Sequence, residues 1–393
     1  MSSPKRILMV QWEYAKDGGA SSRVVNELAS ELLRAGHDVE VIAQAPYGPS
    51  DVESPPGLRL TLTSTRGRFL AGSHTRAWGQ LTFLAGVLGR AAKYAHDKDC
   101  VITVDTPTGI GLAGNLIRHL SRRRVRHICW ILDLYQHQLL DLKVPGSYVK
   151  LRRLRAVVDQ VGYALASEKV VLGDCMKDYL RAHGVRNNVS VIPIWQDECH
   201  VHAADDRGIR ERWRLEGKRC LLYSGRATYR HPLTPLVEAA RRLPQMTLVL
   251  VGTGENIDAA RRLAQEYRLD NVRVEAPVPA GDVNELLSMG EVHAVALDPA
   301  ATGTCVPSKA YAAMAVGRPL IFLGDPRSQV ARDIRASGCG ASVDPGDLTE
   351  LCRVLGDWLA DPDGWRAKGQ AGLAFFLRFR EMRVVCETWL SHI

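Results

Sequence analysis

The chain has 393 residues, a length that favours two domains over one. Its 46% hydrophobic and 24% charged residues are typical of a globular protein and exclude disordered, collagen-like and coiled-coil chains. The net charge of +8 at pH 7 indicates attraction to an anionic partner, such as a phosphate-bearing substrate, a membrane surface or nucleic acid.

No segment is predicted to target or cross a membrane. The apolar run in the opening MSSPKRILMVQW is too short for a signal peptide and predicts a first strand. The longest apolar stretch, near Leu81, falls well short of the ~20 residues that a spanning helix needs. Nine scattered cysteines without a C-x-x-C pair are typical of a reducing compartment, so we expect a cytoplasmic protein.

Strands and helices alternate along the first half of the chain. A strand at 7–10, a glycine loop, a helix at 21–35 ended by Gly36 and a strand at 38–42 form one β-α-β unit of a parallel sheet. The alternation continues to residue 192. The further elements predicted there are helices at 81–95, 110–120, 148–164 and 175–182, and strands at 100–104, 127–132, 169–172 and 189–192.

A polar, weakly patterned stretch at 193–218 predicts a domain boundary. The alternation then begins again, so we predict an α/β chain with two Rossmann-like halves. The predicted domains are residues 1–195, 196–364 and 365–393, the last a C-terminal helix. The elements predicted in the second half are strands at 220–223, 247–251, 272–275, 293–297 and 319–322, and helices at 233–243, 257–267, 282–288 and 308–316.

The loop after the first strand of the second half carries a cluster of basic residues. Ser224-Gly225-Arg226 ends that strand, and Arg230 and His231 follow closely. Ligands of open α/β sheets bind at the carboxyl ends of the strands, where an arginine fork can hold a diphosphate and neutralise a leaving group. The alternative is that these are ordinary surface residues.

Two other loops of the second half are predicted to approach a nucleotide. Gly252 and Gly254 follow a strand, although a lone G-x-G pattern also fits a tight turn. The segment 303–309 leads into a helix, where Ser308 and Lys309 beside free backbone N–H groups predict a pyrophosphate cradle. The alternative there is a helix merely capped by Ser308.

Candidate acceptor residues lie in three loops of the first half. Gly18, Gly19 and Ser21 precede a helix, where they either approach a ligand or form a capped turn. Asp105 opens another strand-end loop. The third loop carries a carboxylate, a phenol and an imidazole that could orient a hydroxyl or act as a base, namely Asp133, Tyr135 and His137. A single histidine is more often structural.

Two further motifs have simpler interpretations. Asp361-Pro362-Asp363 spells the D-x-D of metal-dependent sugar transferases, but its place between late helices favours turn chemistry. The run Arg122–Arg124 is interpreted as a solvated turn, with contact to anionic lipid head groups as the alternative.

The second-half motifs resemble the GT4 family of retaining glycosyltransferases, in particular its branch of WbuB-like and colanic-acid-type enzymes. The resemblance rests on the segments Leu222–Arg226, Val251–Gly254 and above all Val306–Pro319. It implies a GT-B fold, with two Rossmann-like domains facing across a cleft and a last helix that crosses back to the first domain. It also implies a UDP- or GDP-sugar as co-substrate, bound mainly by the second domain, and no catalytic metal or other cofactor.

Residue roles follow from the resemblance together with the loop positions. Arg226 would contact the donor diphosphate, and His231 occupies a position where many relatives have lysine, so Arg230 is an alternative source of charge. The predicted catalytic residues are Asp133, Arg226 and His231. The predicted donor-binding residues are Gly225, Arg226, Arg230, Gly252, Gly254, Thr304, Val306, Ser308 and Lys309. The predicted acceptor-binding residues are Gly18, Gly19, Ser21, Asp105, Tyr135 and His137.

The chain departs from the family at the E-x7-E motif, because Thr304 and Ala312 stand where the two glutamates are expected. The leading hypothesis is a metal-independent, retaining sugar transferase whose acceptor is a small molecule or a lipid-linked sugar. Whether the protein also contacts a membrane peripherally is left open. The second hypothesis is a catalytically silent GT-B protein that assists another transferase. No basic-aromatic stripe supports nucleic-acid binding. The oligomeric state is left open.

Overall fold

The computed structural model describes residues 3–14, 20–44, 54–63, 73–104, 106–121, 125–144, 149–196 and 201–393. Internal contacts divide the chain into two compact units, residues 1–193 with 386–393, and residues 194–385. No helix within the described ranges is long and apolar enough to cross a membrane. None of the eight cysteines in these ranges forms a disulfide bond.

A parallel sheet lies at the centre of the first unit. Its described strands follow the order β3-β2-β1-β4-β5-β6-β7. Strand β1 (Arg6–Glu13) lies inside the sheet between β2 and β4, because its run of fully buried apolar side chains, 7–10, needs cover on both faces. The other strands are β2 (Asp38–Gln44), β3 (Arg59–Leu62), β4 (Cys100–Val104), β5 (Arg126–Ile131), β6 (Glu168–Val171) and β7 (Val189–Val191).

Helices cover this sheet. The amphipathic helix α1 (Ala20–Arg34) connects the first two strands and buries Val24, Val25 and Leu28. Helix α4 packs against α2, α3 and α6. The remaining helices of this unit are α2 (Ser73–Leu88), α3 (Ala91–Asp97), α4 (Ile110–Leu120), α5 (Tyr135–Asp141), α6 (Val149–Leu165) and α7 (Asp174–Ala182).

The second unit repeats the architecture with the strand order β10-β9-β8-β11-β12-β13. All described pairs in both sheets are parallel. The strands are β8 (Arg219–Ser224), β9 (Met246–Val251), β10 (Val272–Glu275), β11 (Val292–Ala296), β12 (Leu320–Leu323) and β13 (Gly340–Val343). The helices are α8 (Arg207–Trp213), α9 (Thr234–Arg242), α10 (Glu255–Glu266), α11 (Val283–Met289), α12 (Lys309–Ala315), α13 (Gln329–Ser337) and α14 (Leu348–Ala360).

The C-terminal segment forms two helices where the sequence predicted one from 365 onward. Helix α15 (Pro362–Phe379) packs on α12, α13 and α14, and α16 (Met382–His392) follows. The break comes at Arg380, whose side chain turns inward to pair with Asp333 at 2.6 Å. From residue 386 the chain belongs to the first unit.

The structure corrects the predicted elements in other places. The predicted helix at 81–95 is two helices, α2 and α3, separated by a turn at Gly89 and Arg90. The sequence did not predict β3, α5, α8, α13, β13 or α14. Four of them, β3, α5, α8 and β13, span only four to seven residues, too few for a clear hydrophobic pattern. Helix α14 buries Leu351, Val354, Leu355 and Trp358 at helical spacing, so its pattern was present in the sequence and was overlooked.

Candidate functional site

The loops after β8 and β9 lie against each other at the carboxyl end of the second sheet. The Gly225 N–H donates to the Val251 carbonyl at 2.8 Å. A Cβ on Gly252 would stand 2.1 Å from the Gly225 carbonyl oxygen, and one on Gly254 would stand 2.2 Å from that of Ala227. Both positions also have positive φ, 146° and 120°. The contact between these loops therefore requires glycine at 252 and 254, with or without a ligand.

Three cationic side chains come from the segments that meet here. Arg226 is exposed and Arg230 half-buried in the loop after β8. Lys309, at the start of α12, donates from Nζ to the Arg226 carbonyl at 2.7 Å and to the Tyr223 hydroxyl at 2.6 Å. Its ammonium also lies 4.4 Å from the centroid of the Tyr223 ring. The sequence placed the two arginines in a strand-end loop and Lys309 at the start of a helix, and the structure adds Tyr223 as the group that orients Lys309.

The pKa of Lys309 responds strongly to burial and to neighbouring charges. Burial, followed by the charge of Arg230, lowers the pKa of Lys309 to about 7. A bound anion would favour the charged form of the lysine and raise this pKa again. The position is therefore electrostatically suited to a phosphate group.

His231, a predicted catalytic residue, is buried in the same loop and forms a hydrogen bond within it. It is 7% exposed, and its Nδ1 accepts a hydrogen bond from the Thr228 N–H at 3.1 Å. Burial, followed by the charges of Lys309 and Arg230, lowers the pKa of His231 to about 2. The ring is neutral near pH 7, so it supplies no positive charge to a diphosphate. Asn256, which the sequence analysis did not select, donates to the His231 carbonyl at 2.8 Å.

The polar groups of the loop before α12 form hydrogen bonds with other groups of the protein. Thr304 is fully buried and its hydroxyl donates to the Ala301 carbonyl at 2.6 Å. Val306 is also buried. Ser308 makes no side-chain cap, and its carbonyl accepts a hydrogen bond from Gln196 Nε2 at 3.0 Å. Because α12 has only seven residues, the side-chain cations are the stronger argument for an anion site here.

In the first unit, the loop after β5 separates the predicted acceptor residues. Asp133 is half-buried, and Tyr135, at the start of α5, is 47% exposed. His137 is buried, with its ring centroid 5.9 Å from that of Tyr179 and 5.7 Å from that of His183. Burial, followed by the charge of His183, lowers the pKa of His137. His137 therefore packs among other rings, while Tyr135 is available to a ligand.

The other predicted acceptor residues are placed only in part. Ser21 lies half-buried in the first turn of α1. Gly18, Gly19 and Asp105 lie outside the described residues, as does the arginine run at 122–124.

The sequence matches two family domains in succession. Residues 19–195 match the glycosyl transferase 4-like domain, and residues 205–372 match the glycosyl transferases group 1 domain. The chain is a GT4-type glycosyltransferase. It is 24% identical over 305 residues to a probable glycosyltransferase WbjE of Pseudomonas aeruginosa, covering 74% of this chain and 73% of that protein. It is 24% identical over 376 residues to a putative colanic acid biosynthesis glycosyl transferase WcaI of Escherichia coli K12, covering 88% and 90%.

Solved structures confirm the fold predicted for this glycosyltransferase. Sucrose-phosphate synthase of Thermosynechococcus elongatus matches with a TM-score of 0.80 at 20% identity, covering 99% of this chain and 98% of that one. HepE of Anabaena, solved with UDP and glucose, matches with a TM-score of 0.73 at 16% identity, covering 99% of both chains. WaaG, a lipopolysaccharide biosynthesis glycosyltransferase, gives 0.72 at 16% identity, with coverage of 98% and 99%. The fold is GT-B, with two Rossmann-like halves.

The acidic D-x-D string of this glycosyltransferase has structural roles. The Asp361 carboxylate caps α15 by accepting from the Gly364 N–H at 2.9 Å, and Asp363 pairs with Arg366 at 2.9 Å. The Asp361 cap matches the turn chemistry expected from the sequence, and the Asp363 pair lies within the first turns of α15.

Proposed function

We propose that this glycosyltransferase moves a sugar from a nucleoside diphosphate sugar to an acceptor with retention of the anomeric configuration and without a catalytic metal. The single observation that carries the donor assignment is the convergence of Arg226, Arg230 and Lys309 at the end of β8. UDP- and GDP-sugars are the candidate donors. HepE, which was solved with UDP and glucose, supports this donor class.

The cations serve the departing nucleotide. In the reaction the bond between the sugar C1 and a diphosphate oxygen breaks, and negative charge develops on that oxygen. The Lys309 ammonium donates a hydrogen bond to the Arg226 backbone carbonyl, so it is positioned before the donor arrives. Neutralisation by fixed side chains does what a divalent ion does in metal-dependent enzymes, which supports metal independence.

The acceptor is assigned to the first unit. Its hydroxyl forms the new bond to C1 on the face from which the diphosphate departs, as retention requires, and must lose a proton, for which Asp133 is the candidate recipient. Tyr135 offers an exposed ring that can cover a sugar or another acceptor. Thr304 and Ala312 in place of two glutamates indicate that donor sugar and ribose are held differently from the family pattern. The cytoplasm, where nucleotide sugars are made, is the proposed location.

Nucleotide binding is the first test. Melting temperatures are measured with UDP, GDP, dTDP, ADP and their sugars, before and after addition of divalent metal. The expected result is stabilisation by one nucleotide without metal. Stabilisation that requires metal would contradict metal independence. Binding without turnover on any acceptor would favour the catalytically silent alternative.

Arg226→Ala then tests the diphosphate contact by calorimetry. Loss of a charge-assisted hydrogen bond should weaken nucleotide binding by about 1–3 kcal/mol. The matched control is Arg262→Ala, which removes an exposed arginine from α10 in the same unit. Equal affinities of the two variants would overturn the role of Arg226. Retention is tested separately by the anomeric configuration of the product in NMR.

A further inference from the structure

A four-residue turn carries one of the cations of the candidate donor site. The His231 N–H donates to the Thr228 carbonyl at 2.8 Å and closes residues 228–231 into a turn, which we call the arginine turn. Arg230 is its third residue. Burial, followed by the charge of Arg230, lowers the pKa of Lys309 to about 7, so the two cations are near neighbours. The conformation of the arginine turn therefore sets where Arg230 lies beside Lys309.

A single side chain of helix α10, that of Asn256, contacts both ends of this turn. Its Nδ2 donates to the Thr228 carbonyl at 2.9 Å and to the His231 carbonyl at 2.8 Å. Its backbone N–H donates to the carbonyl of Ala227, the residue before the turn, at 3.2 Å. An amide nitrogen has two hydrogens in a fixed plane, so Asn256 uses its full donor capacity on the first and last residues of the turn.

This is not the usual role of asparagine at the start of a helix. At the N-cap, asparagine accepts hydrogen bonds from N–H groups of its own helix. Asn256 instead follows Glu255 in the first turn of α10, whose N-cap is Gly254. Its side-chain partners precede it by 28 and 25 residues. The Asn256 amide therefore holds the loop after β8 and does not cap α10.

The same contacts occupy the N-terminus of α10. A glycine loop that leads into a helix often binds phosphate there. In this chain the first helical turn carries two carboxylates, Glu255 and Asp258, which oppose an anion. Glu255 Oε1 also accepts from the Tyr229 N–H of the arginine turn at 2.7 Å. The start of α10 therefore binds the arginine turn, and a diphosphate is left to the side-chain cations.

The other contacts of the arginine turn do not connect its two ends to the sheet or the helices. The Thr228 N–H donates to His231 Nδ1 at 3.1 Å, a bond within the turn. The Arg230 carbonyl accepts from the Asp298 N–H at 2.8 Å, in the middle of the turn. Among the residues that the structure describes, Asn256 is the only one outside the turn that hydrogen-bonds to both of its ends.

We propose that Asn256 is a positioning residue for the donor diphosphate, which keeps Arg230 beside Lys309 before a nucleotide binds. This role rests on the proposed function, since it assigns these cations to a diphosphate. A site whose charges are fixed in advance loses less conformational entropy when its ligand arrives. Asn256 acts through the backbone of the arginine turn, because both of its amide hydrogens are used there.

Calorimetry of Asn256→Leu, with UDP and GDP as the probes, is the first test. Leucine has a similar size and no donor, so both carbonyls lose their partner while the charge of the site stays the same. The affinity for the nucleotide that the parent binds should fall roughly five- to tenfold. Asn256→Gln, which keeps both amide hydrogens, should recover part of this affinity. Asn256→Ser, with one donor, should show a smaller loss than leucine and replaces it if the leucine variant does not fold.

Asn271 offers a matched control in the same unit. Its Nδ2 also donates to backbone carbonyls, among them those of Ala240 at 2.8 Å and Met246 at 2.9 Å. It lies just before β10, at the opposite end of the sheet from the ligand loops. Asn271→Leu should lower the melting temperature about as much as Asn256→Leu and keep the nucleotide affinity of the parent. Equal losses of affinity in the two variants would overturn the positioning role.

A double-mutant cycle tests whether Asn256 acts through Arg230. In the Arg230→Ala background, Asn256→Leu should change nucleotide affinity by less than about twofold, because the cation that it positions is already gone. If the two losses simply multiply, Asn256 works independently of Arg230 and the proposal is wrong.

Hydrogen exchange measures the arginine turn itself, without any nucleotide. The His231 amide should exchange roughly tenfold faster in Asn256→Leu than in the parent, and at the parent's rate in Asn271→Leu. Unchanged exchange in Asn256→Leu would overturn the positioning role even if the parent binds nucleotide. A parent that binds neither UDP nor GDP, with faster exchange in Asn256→Leu, would instead contradict the proposed function, and the assignment of Asn256 to a diphosphate would fall with it.

Discussion

The two units share one architecture and place their positive charge differently. In the second unit, Lys309 and the two arginines of the loop after β8 gather at the carboxyl end of the sheet. In the first unit, the basic side chains of α4 and α6 spread over the outside of a helical layer, between exposed leucines and valines. The first arrangement suits a small, highly charged ligand, whereas the second distributes its charge over an exposed helical surface. The position of the charged side chains therefore differs between two units that share a fold.

The buried ion pairs extend this comparison. In the second unit, Asp333 accepts from Arg380 at 2.6 Å, from Tyr311 at 2.8 Å and from Gln329 at 2.9 Å, and both charged side chains are almost fully buried. The Arg380 guanidinium also lies 4.5 Å from the Tyr311 ring centroid. Because Tyr311 belongs to α12, this network connects the break between α15 and α16 to the helix that carries Lys309.

The largest expected effect comes from Asp333→Asn. The substitution leaves the buried Arg380 without its counter-charge, so the free energy of unfolding should fall by about 3–5 kcal/mol. Urea denaturation measures it. The control is Asp357→Asn, which breaks an exposed pair with Arg353 and should cost about 0–1 kcal/mol. Similar losses for the two variants would contradict the structural role of the network.

The buried pair of the first unit should be less sensitive. Lys98 Nζ lies 2.6 Å from Glu40 and 3.3 Å from Asp97. After Glu40→Gln the ammonium keeps Asp97 as a counter-charge, so we expect a smaller loss of stability than for Asp333→Asn. A larger loss from Glu40→Gln would reverse this ranking of the two units.

The next effect in size is the pH dependence at Lys309. Its pKa falls from 10.5 in the unfolded chain to about 7 in the folded, ligand-free enzyme. Between these values the unfolded chain holds more protons, so this residue makes stability rise with pH across that range. A bound diphosphate restores the ammonium, so binding takes up a proton above pH 7 and the nucleotide affinity falls as pH rises.

Calorimetry at pH 8 in two buffers with different heats of ionisation measures that proton uptake. Lys309→Met should abolish the uptake and weaken nucleotide binding at pH 7 by about 1–3 kcal/mol. The control variant Arg262→Ala should keep the proton uptake of the parent. Uptake that persists in Lys309→Met would assign the proton to another group.

The sequence predicted the alternation of strands and helices because buried parallel strands are continuous apolar runs, as in β1 and β9. It missed β3, whose residues Arg59–Leu62 alternate charged or polar with apolar and lie at the sheet edge. It also joined α15 to α16. The break between them depends on Arg380 reaching Asp333, a partner 47 residues away in sequence, which no local pattern records.

At the candidate site, the sequence located residues but not their environments. It placed Arg226, Arg230 and Lys309 after strands, since strand ends are readable from the apolar pattern. It did not indicate that His231 is buried and neutral or that the Thr304 hydroxyl bonds within its own loop. Both facts depend on how loops pack on one another. The sequence shows that Tyr223 lies near the end of β8. Its role as a hydrogen-bond partner of Lys309 becomes visible only in the structure.

The smallest expected effect on the folded protein comes from Tyr135→Ala in the first unit. Because the ring is 47% exposed, its removal should change the free energy of unfolding by less than about 0.5 kcal/mol. Nucleotide affinity should stay that of the parent, since the donor is assigned to the second unit. The acceptor KM should rise roughly twofold to tenfold, the scale of one aromatic contact. Phe379→Ala, which removes an exposed ring from the second unit, should leave both constants unchanged. A weaker nucleotide affinity in Tyr135→Ala would show that the first unit also holds the donor, and the division of substrates between the units would then be wrong.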